Sequence, residues 1–345
     1  MQDYLFVKYE EKRDVYIKPM NIMIVGVGGS YPAALVAAHS IRDIFSTSNV
    51  DVTTPYTAIQ KIEEFNKMRN CEWRPKYDMV IGISYSGKTP DIQDLSKVCS
   101  INKYAFALLT GAKKEELKEL YCENELLKII SYFNAEDKSR KETGMISMFS
   151  TLMPAIIFDE DGRLPVFPDE DGGPIVYPTE YFEEVYLKDL ENGEKFVSNL
   201  DIIDIANCIK KAPIIHVFYE WATLPTATDI ETKFLESGIA NVVLHEKKNY
   251  RRYTTLLKQD FALAINLTCY AAGISKEASE DQKLYKHEQD SQIAKFLKEI
   301  CKSKSAQYIE IGNTNIKPAK WNIREMCKLP YLITAIAEAL NSLNY

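Results

Sequence analysis

The sequence predicts an α/β protein made of two doubly wound, mostly parallel sheets. Three observations predict it. Short apolar runs, partly β-branched, alternate with stretches of helical periodicity through residues 21–131. A Pro- and Gly-rich segment over residues 159–178 interrupts that alternation. A second alternating block then fills residues 213–343. A chain of 345 residues accommodates two domains of common size, and the first is expected over residues 1–185, the second over 186–345.

The elements follow in order. Asn21 to Val27 is an apolar run that stops at Gly28-Gly29, a buried strand entering a tight turn. From Pro32 to Phe45, apolar residues at 34, 36, 38, 41, 44 and 45 recur at helical spacing. Val50 to Thr54 is a second strand, Tyr56 to Met68 an amphipathic helix, Met79 to Ser84 a third strand and Thr89 to Val98 the helix after it. Tyr104 to Thr110 and Leu127 to Ser131 are strands four and five, on either side of a helix from Lys113 to Tyr121. A further apolar helix is expected from Met148 to Ile157, followed by the connection from Asp159 to Pro178. In the second block, strands are expected at Pro213–Tyr219, Asn241–Leu244, Phe261–Cys269 and Gln307–Ile311. Helices are expected at Pro225–Glu236, with proline suited to the first helical position, at Gln292–Cys301 and at Leu332–Leu343.

Composition narrows the function. The chain is 46% hydrophobic and 26% charged, an ordinary soluble balance. No apolar run approaches the roughly 18–20 residues of a membrane helix, so no membrane partner is expected. The first residues lack the basic start and apolar block of a secretory signal. A net charge of −7, without a dense basic block, argues against a dedicated nucleic-acid binder. The seven cysteines, at 71, 99, 122, 208, 269, 301 and 327, show no C-x2-C spacing. They predict reduced thiols in a cytoplasmic protein. The four histidines, His39, His216, His245 and His287, never pair at helical ligand spacing, so no metal site is expected.

One stretch carries two readings. Gly82-Ile83-Ser84-Tyr85-Ser86-Gly87-Lys88-Thr89 fits the P-loop pattern of an ATPase. Its context opposes that reading: Gly82 lies inside the apolar run, and Pro90 would start the helix only after the lysine and threonine. The other reading takes Ser84, Ser86 and Thr89 as hydroxyls around a turn that opens onto a helix N-terminus, with Lys88 adding charge. That suits a phosphate held without metal or nucleotide.

Ile24 to Ser30 forms another strand-to-helix turn, and Glu142-Thr143-Gly144-Met145-Ile146-Ser147 leads into a third apolar helix. In this trio, over residues 21–157, the chain resembles the SIS (sugar isomerase) domain family. That resemblance implies a flavodoxin-like fold and a bound sugar phosphate. It assigns the phosphate to Ser84, Tyr85, Ser86 and Thr89, beside the charge of Lys88, and the sugar hydroxyls to Ser30 with Gly28 and Gly29. Ser147 and the backbone of Met145 complete the set. Glu142 reads equally as a helix-entry carboxylate.

The second half resembles a degenerate SIS domain, like that of the isomerase half of glucosamine-6-phosphate synthase. Phe218-Tyr219-Glu220-Trp221-Ala222-Thr223 replaces the glycine-rich turn. Asp229, Lys233 and Glu236 fall at i, i+4 and i+7 on one helix face. The resemblance makes Glu236 the general base, with Lys233 beside it. Without the resemblance, the three read as a solvated ion-pair ladder. Synthase-like and deglycase-like members carry a histidine sixteen residues after the base, where this chain has Arg252. Either His245 serves as the acid, or Arg252 clamps an anion instead. No counterpart of the synthase's C-terminal tail or of its glutaminase half is expected.

The resulting expectation is an enzyme that moves protons between C1 and C2 of a sugar phosphate without a cofactor. It covers aldose–ketose isomerisation, amino-sugar deamination and fructosamine-phosphate deglycation. The alternatives are a non-catalytic sugar-phosphate sensor and, third, the P-loop ATPase. A homodimer is expected from the resemblance alone.

Overall fold

A computed structural model describes residues 21–44, 49–67, 76–110, 112, 114–117, 127–131, 193–248, 259–269, 280–312, 318–326 and 328–343. They fall into two compact units, one holding residues 21–131 and the other residues 193–343. The helix expected at residues 148–157 and the connection at 159–178 lie outside the described residues.

The first unit runs β1 (Asn21–Val25), α1 (Ser30–Ile44), β2 (Asn49–Thr53), α2 (Pro55–Lys67), β3 (Met79–Ile83), α3 (Pro90–Ile101), β4 (Phe106–Thr110), a short α4 (Lys114–Leu117) and β5 (Leu127–Ser131). Its five strands are all parallel, in the order β2-β1-β3-β4-β5. Both faces are covered, which explains why β3 and β4 are apolar at every position. On one face Met23, Val25, Val80, Phe106 and Leu108 pack with Ala58 and Ile62 of α2 and with Ile92, Leu95 and Cys99 of α3. The winding therefore reverses at β1, and the turns after β1 and β3 leave the sheet side by side.

The second unit runs α5 (Ile202–Lys211), β6 (Ile214–Tyr219), a 3-10 turn (Trp221–Thr223), α6 (Leu224–Glu236), β7 (Asn241–Glu246), β8 (Leu263–Thr268), α7 (Glu280–Lys304), β9 (Gln307–Gly312), α8 (Pro318–Met326) and α9 (Leu329–Ser342). Its four strands are parallel, in the order β7-β6-β8-β9. One face packs Ile215, Val217, Leu263, Ile265 and Ile309 under helices that contribute Ile205, Ile230, Phe234, Trp321 and Ile336. The other packs Phe218 and Ala264 against Ile293, Leu297 and Cys301 of α7.

Among the described residues the expected strands are present with ends shifted by a few residues, as are the expected helices other than the one at 148–157. The largest difference is α7, which begins at Glu280 rather than near Gln292. Two helices, α5 and α8, were not foreseen. α5 starts where the Asp201 side chain accepts the N–H of Asp204 at 3.0 Å, and it buries Ile205 and Ile209. α8 is locked by Asn322. Its Oδ1 accepts the N–H of Thr226 at 3.1 Å and the Thr226 hydroxyl at 2.7 Å. Its Nδ2 donates to the carbonyls of Ala222 at 2.6 Å and Pro318 at 2.7 Å. Cys99, Cys269 and Cys301 are buried and free, and Cys208 is half-buried and free. None of the described helices is long and apolar enough to cross a membrane.

Asn322→Ala strips buried partners from Thr226 and from two carbonyls at once. It is expected to destabilise the second unit by about 2–4 kcal/mol, read as a fall in the chemical-denaturation midpoint. A change below about 0.5 kcal/mol would show that this network does not hold α8.

Candidate functional site

The turn after β1 is set by backbone contact. A Cβ on Gly26 would stand 2.3 Å from the Ser30 carbonyl oxygen, so only glycine lets the strand end lie against the start of α1. Gly28 has φ 54°, in the left-handed region. Ser30 donates its N–H to Val27 at 3.1 Å, and Tyr31 donates to Gly28 at 3.0 Å. Among the described residues, the N–H groups of Val27, Gly28 and Gly29 find no acceptor. They stand together at the N-terminus of a 15-residue helix, where the dipole favours negative charge. Ser30 is buried at the first helical position.

The turn after β3 is built from hydroxyls. Ser84 is buried; its Oγ accepts the N–H of Gly87 at 3.2 Å and lies 3.2 Å from Thr89 Oγ1. Ser86 Oγ, exposed, accepts the N–H of Lys88 at 3.2 Å. Gly87 has φ 63°, and a Cβ there would meet Leu117 and Thr110 Oγ1 at 2.8 Å. Thr110 also donates its hydroxyl to the carbonyl of Tyr85 at 3.1 Å, fixing the turn from β4. Lys88 pairs with Glu116 at 3.0 Å, both half-exposed, which moderates its charge. Neither Thr110 nor Glu116 was singled out in the sequence, since both lie outside the motif.

These details decide against the P-loop. Gly82 lies within β3, and α3 begins at Pro90 with Thr89 as its N-cap. In a P-loop the lysine and threonine belong to the helix, where the threonine hydroxyl reaches the metal. Here the Thr89 hydroxyl turns to Ser84.

The first unit also has a cavity of about 320 Å³ lined by Asn21, Asn49, Val50, Asp51, Lys76 and Tyr77. Asn21 and Asn49 open their strands, so it sits at the end opposite the two turns. Its Asp51 carboxylate is held by Lys61 at 2.7 Å and the Tyr77 hydroxyl at 2.9 Å, a poor setting for phosphate.

In the second unit, Asp229 and Lys233 form a buried ion pair, not a solvated ladder. Burial pushes the Asp229 carboxyl up, and Lys233 opposes that push. Asp229 Oδ1 is buried without a partner. Glu236 is the last residue of α6, followed by the Ser237 cap and by Gly238 at φ 67°. Its side chain is exposed at the helix end. Partial loss of water still pushes its carboxyl above the ordinary value, with Lys233 opposing and Asp229 assisting.

His245 does not lie at an open strand end. β7 extends through Glu246, and the imidazole is buried against Phe218 and His216 of the neighbouring strand. Its Nε2 lies 2.7 Å from Nδ1 of His216 on the neighbouring strand. Phe218 stacks on His245, and Phe261 meets the His216 ring edge-on. Burial pushes both down to about 4, and for His216 the neighbouring His245 adds to the effect. This pair fits structure better than proton delivery. Glu142, Met145, Ser147 and Arg252 lie outside the described residues.

No protein-family model and no curated protein sequence matches the chain. Solved structures do. Tagatose-6-phosphate ketose/aldose isomerase from Escherichia coli aligns at TM-score 0.61 and 11% identity, over 93% of this chain and 83% of its own. The fold is that of the SIS phosphosugar isomerases. Glucosamine-6-phosphate deaminase from Thermotoga maritima matches at TM-score 0.57 and 14% identity, covering 92% of this chain and 86% of its own. The C-terminal domain of glucosamine-fructose-6-phosphate aminotransferase from Francisella tularensis matches at 0.53 and 16%, covering 94% and 85%. At such identities the SIS likeness is one of fold.

The histidine pair yields a pH prediction. Both native values lie below the ordinary 6.5, so the unfolded chain takes up protons first as pH falls. The associated stability is complete above about pH 6.5 and is lost toward pH 4, roughly 3 kcal/mol for one proton. Urea midpoints of the wild type should fall across that window. The double variant His216→Leu/His245→Leu should show a flatter slope; an unchanged slope would place the acid sensitivity elsewhere.

Proposed function

We propose that the chain binds a sugar phosphate at the paired turns after β1 and β3. The observation that carries this reading is the run of N–H groups at Val27, Gly28 and Gly29 that find no acceptor among the described residues, beside the hydroxyls of Ser84, Ser86 and Thr89. The phosphate takes the hydroxyl turn and the N-terminus of α3, while Ser30 and the glycine turn take the sugar. Tyr85, Lys88, Met145, Ser147 and Arg252 remain part of the proposed binding set. SIS-fold structures named for isomerases and a deaminase of phosphosugars support the substrate class.

As an enzyme, the chain would act at C1/C2 by isomerisation, deamination or deglycation. Glu236 would take the weakly acidic C–H proton from one carbon and return it to the other. Its raised pKa makes it a stronger base than an ordinary glutamate. Lys233, fixed by Asp229, would hold a positive charge near the developing enediolate. No cofactor enters this scheme.

A second reading is a sugar-phosphate sensor without turnover. It is favoured by the His245 imidazole, which is withdrawn into the sheet and paired with His216. A thermal-shift panel of sugar phosphates and nucleotides, followed by NMR detection of product, separates the readings. Ligand at a hundredfold excess over Kd adds about 2.7 kcal/mol of stability. Stabilisation by nucleotides alone would overturn the proposal.

Two variants sharpen it. Ser86→Ala combined with Thr89→Ala should weaken sugar-phosphate binding at least tenfold by calorimetry, at about 1–1.5 kcal/mol per hydrogen bond. Lys88→Ala should cost less, because Glu116 already holds that ammonium.

Glu236→Gln should lower turnover about a hundredfold while leaving affinity nearly unchanged. Wild-type affinity without any product, under every sugar phosphate tried, would select the sensor reading.

A further inference from the structure

The second unit repeats the winding of the first. β6 lies between β7 and β8 as β1 lies between β2 and β3, so the ends of β6 and β8 occupy its own point of reversed winding. Glu220 directly follows β6 where Gly26 follows β1, and Cys269 follows β8 where Ser84 follows β3.

The chemistry at the two places is opposite. Glu220 Oε1 accepts the N–H of Cys269 at 3.5 Å, so a carboxylate of the chain bridges the ends of β6 and β8. The Glu220 N–H is given to Thr223 Oγ1 at 3.0 Å, and the Thr223 N–H to the Glu220 carbonyl at 2.9 Å. The amides of Val27, Gly28 and Gly29 find no such acceptors within the first unit's described residues. Glu220 has extended backbone, φ −119° and ψ 169°, where the first turn has a left-handed Gly28. Lys247, just past β7, is buried and turned to Thr268 Oγ1 at 3.1 Å and to Asp290 at 3.4 Å.

We infer that Glu220 is a built-in anion that closes the ends of β6 and β8 to phosphate, leaving one phosphosugar site per chain. The ligand count rests on the phosphosugar reading of the first unit; the role of Glu220 does not. A fixed carboxylate satisfies the amide that an incoming phosphate would need, and it repels the phosphate as a like charge. The residue thereby sets the division of labour in a chain whose two sheets are wound alike.

The test uses the full chain labelled with 15N-cysteine, which gives at most one amide signal for each of seven cysteines. The Cys269 signal is assigned by its loss in Cys269→Ala. Fructose 6-phosphate and inorganic phosphate are the probes. In the wild type, calorimetry should give one equivalent of sugar phosphate per chain, and inorganic phosphate should leave the Cys269 signal in place. In Glu220→Ser, inorganic phosphate should move that signal saturably, with apparent affinity at least tenfold above wild type. Glu220→Gln, which keeps the hydrogen-bonding shape without the charge, should show a smaller gain. Two equivalents in the wild type would overturn the inference, as would a wild-type Cys269 response equal to that of the variants. So would a folded Glu220→Ser or Glu220→Gln in which the signal never responds. A wild type that binds no sugar phosphate sinks the functional reading instead, and the Cys269 comparison still decides the role of Glu220.

Discussion

The first unit's candidate site depends on a backbone contact that no side chain permits. At Gly26 the end of β1 lies so near the first turn of α1 that a Cβ would come within 2.3 Å of the Ser30 carbonyl oxygen. That closeness turns the chain from strand to helix within residues 26–29, and Ser30 is buried at the first helical position. Gly87 applies the same constraint after β3, where Thr110 and Leu117 leave no room for a Cβ. The hydroxyls of Ser84 and Thr89 are then drawn together around a turn braced from β4. Gly26 acts through excluded volume, and Gly87 adds to that a left-handed φ of 63°.

The second unit keeps the winding and changes the chemistry. Its turn after β6 begins with glutamate and tryptophan, and the following helix carries the buried Asp229–Lys233 pair. Burying such a pair costs more in lost hydration than an apolar pair would, and Asp229 Oδ1 lacks even a hydrogen bond. Charges kept at that cost fit a role beyond packing, and Glu236 lies one turn further along the same helix. One fold thus presents amides and hydroxyls in one unit, carboxylates and an ammonium in the other.

Much of this was legible in the sequence. Apolar runs such as Met79 to Ile83 announced strands covered on both faces, and Pro90 and Pro225 marked helix starts to within a residue. The position of Pro90 by itself opposes the P-loop. What stayed hidden depends on contacts distant in sequence. His245 looked like a residue beyond its strand, and only the pairing of β6 with β7 reveals His216 beside it. Thr110 braces a turn 25 residues away, a relation that no local pattern encodes. α5 carried a readable start in Asp201 and Asp204, whereas α8 is defined by the distant partners of Asn322.

Asp229 and Lys233 stand one turn apart on the same helix, and this has a kinetic side. The pair needs no distant segment to form, so it can assemble while the rest of the chain is still open. What remains is to strip its water, and that happens only when β7 and α8 close against α6. The electrostatic cost therefore falls late on the folding route, near the moment of docking. Leucine and methionine in the same places would carry no such late cost.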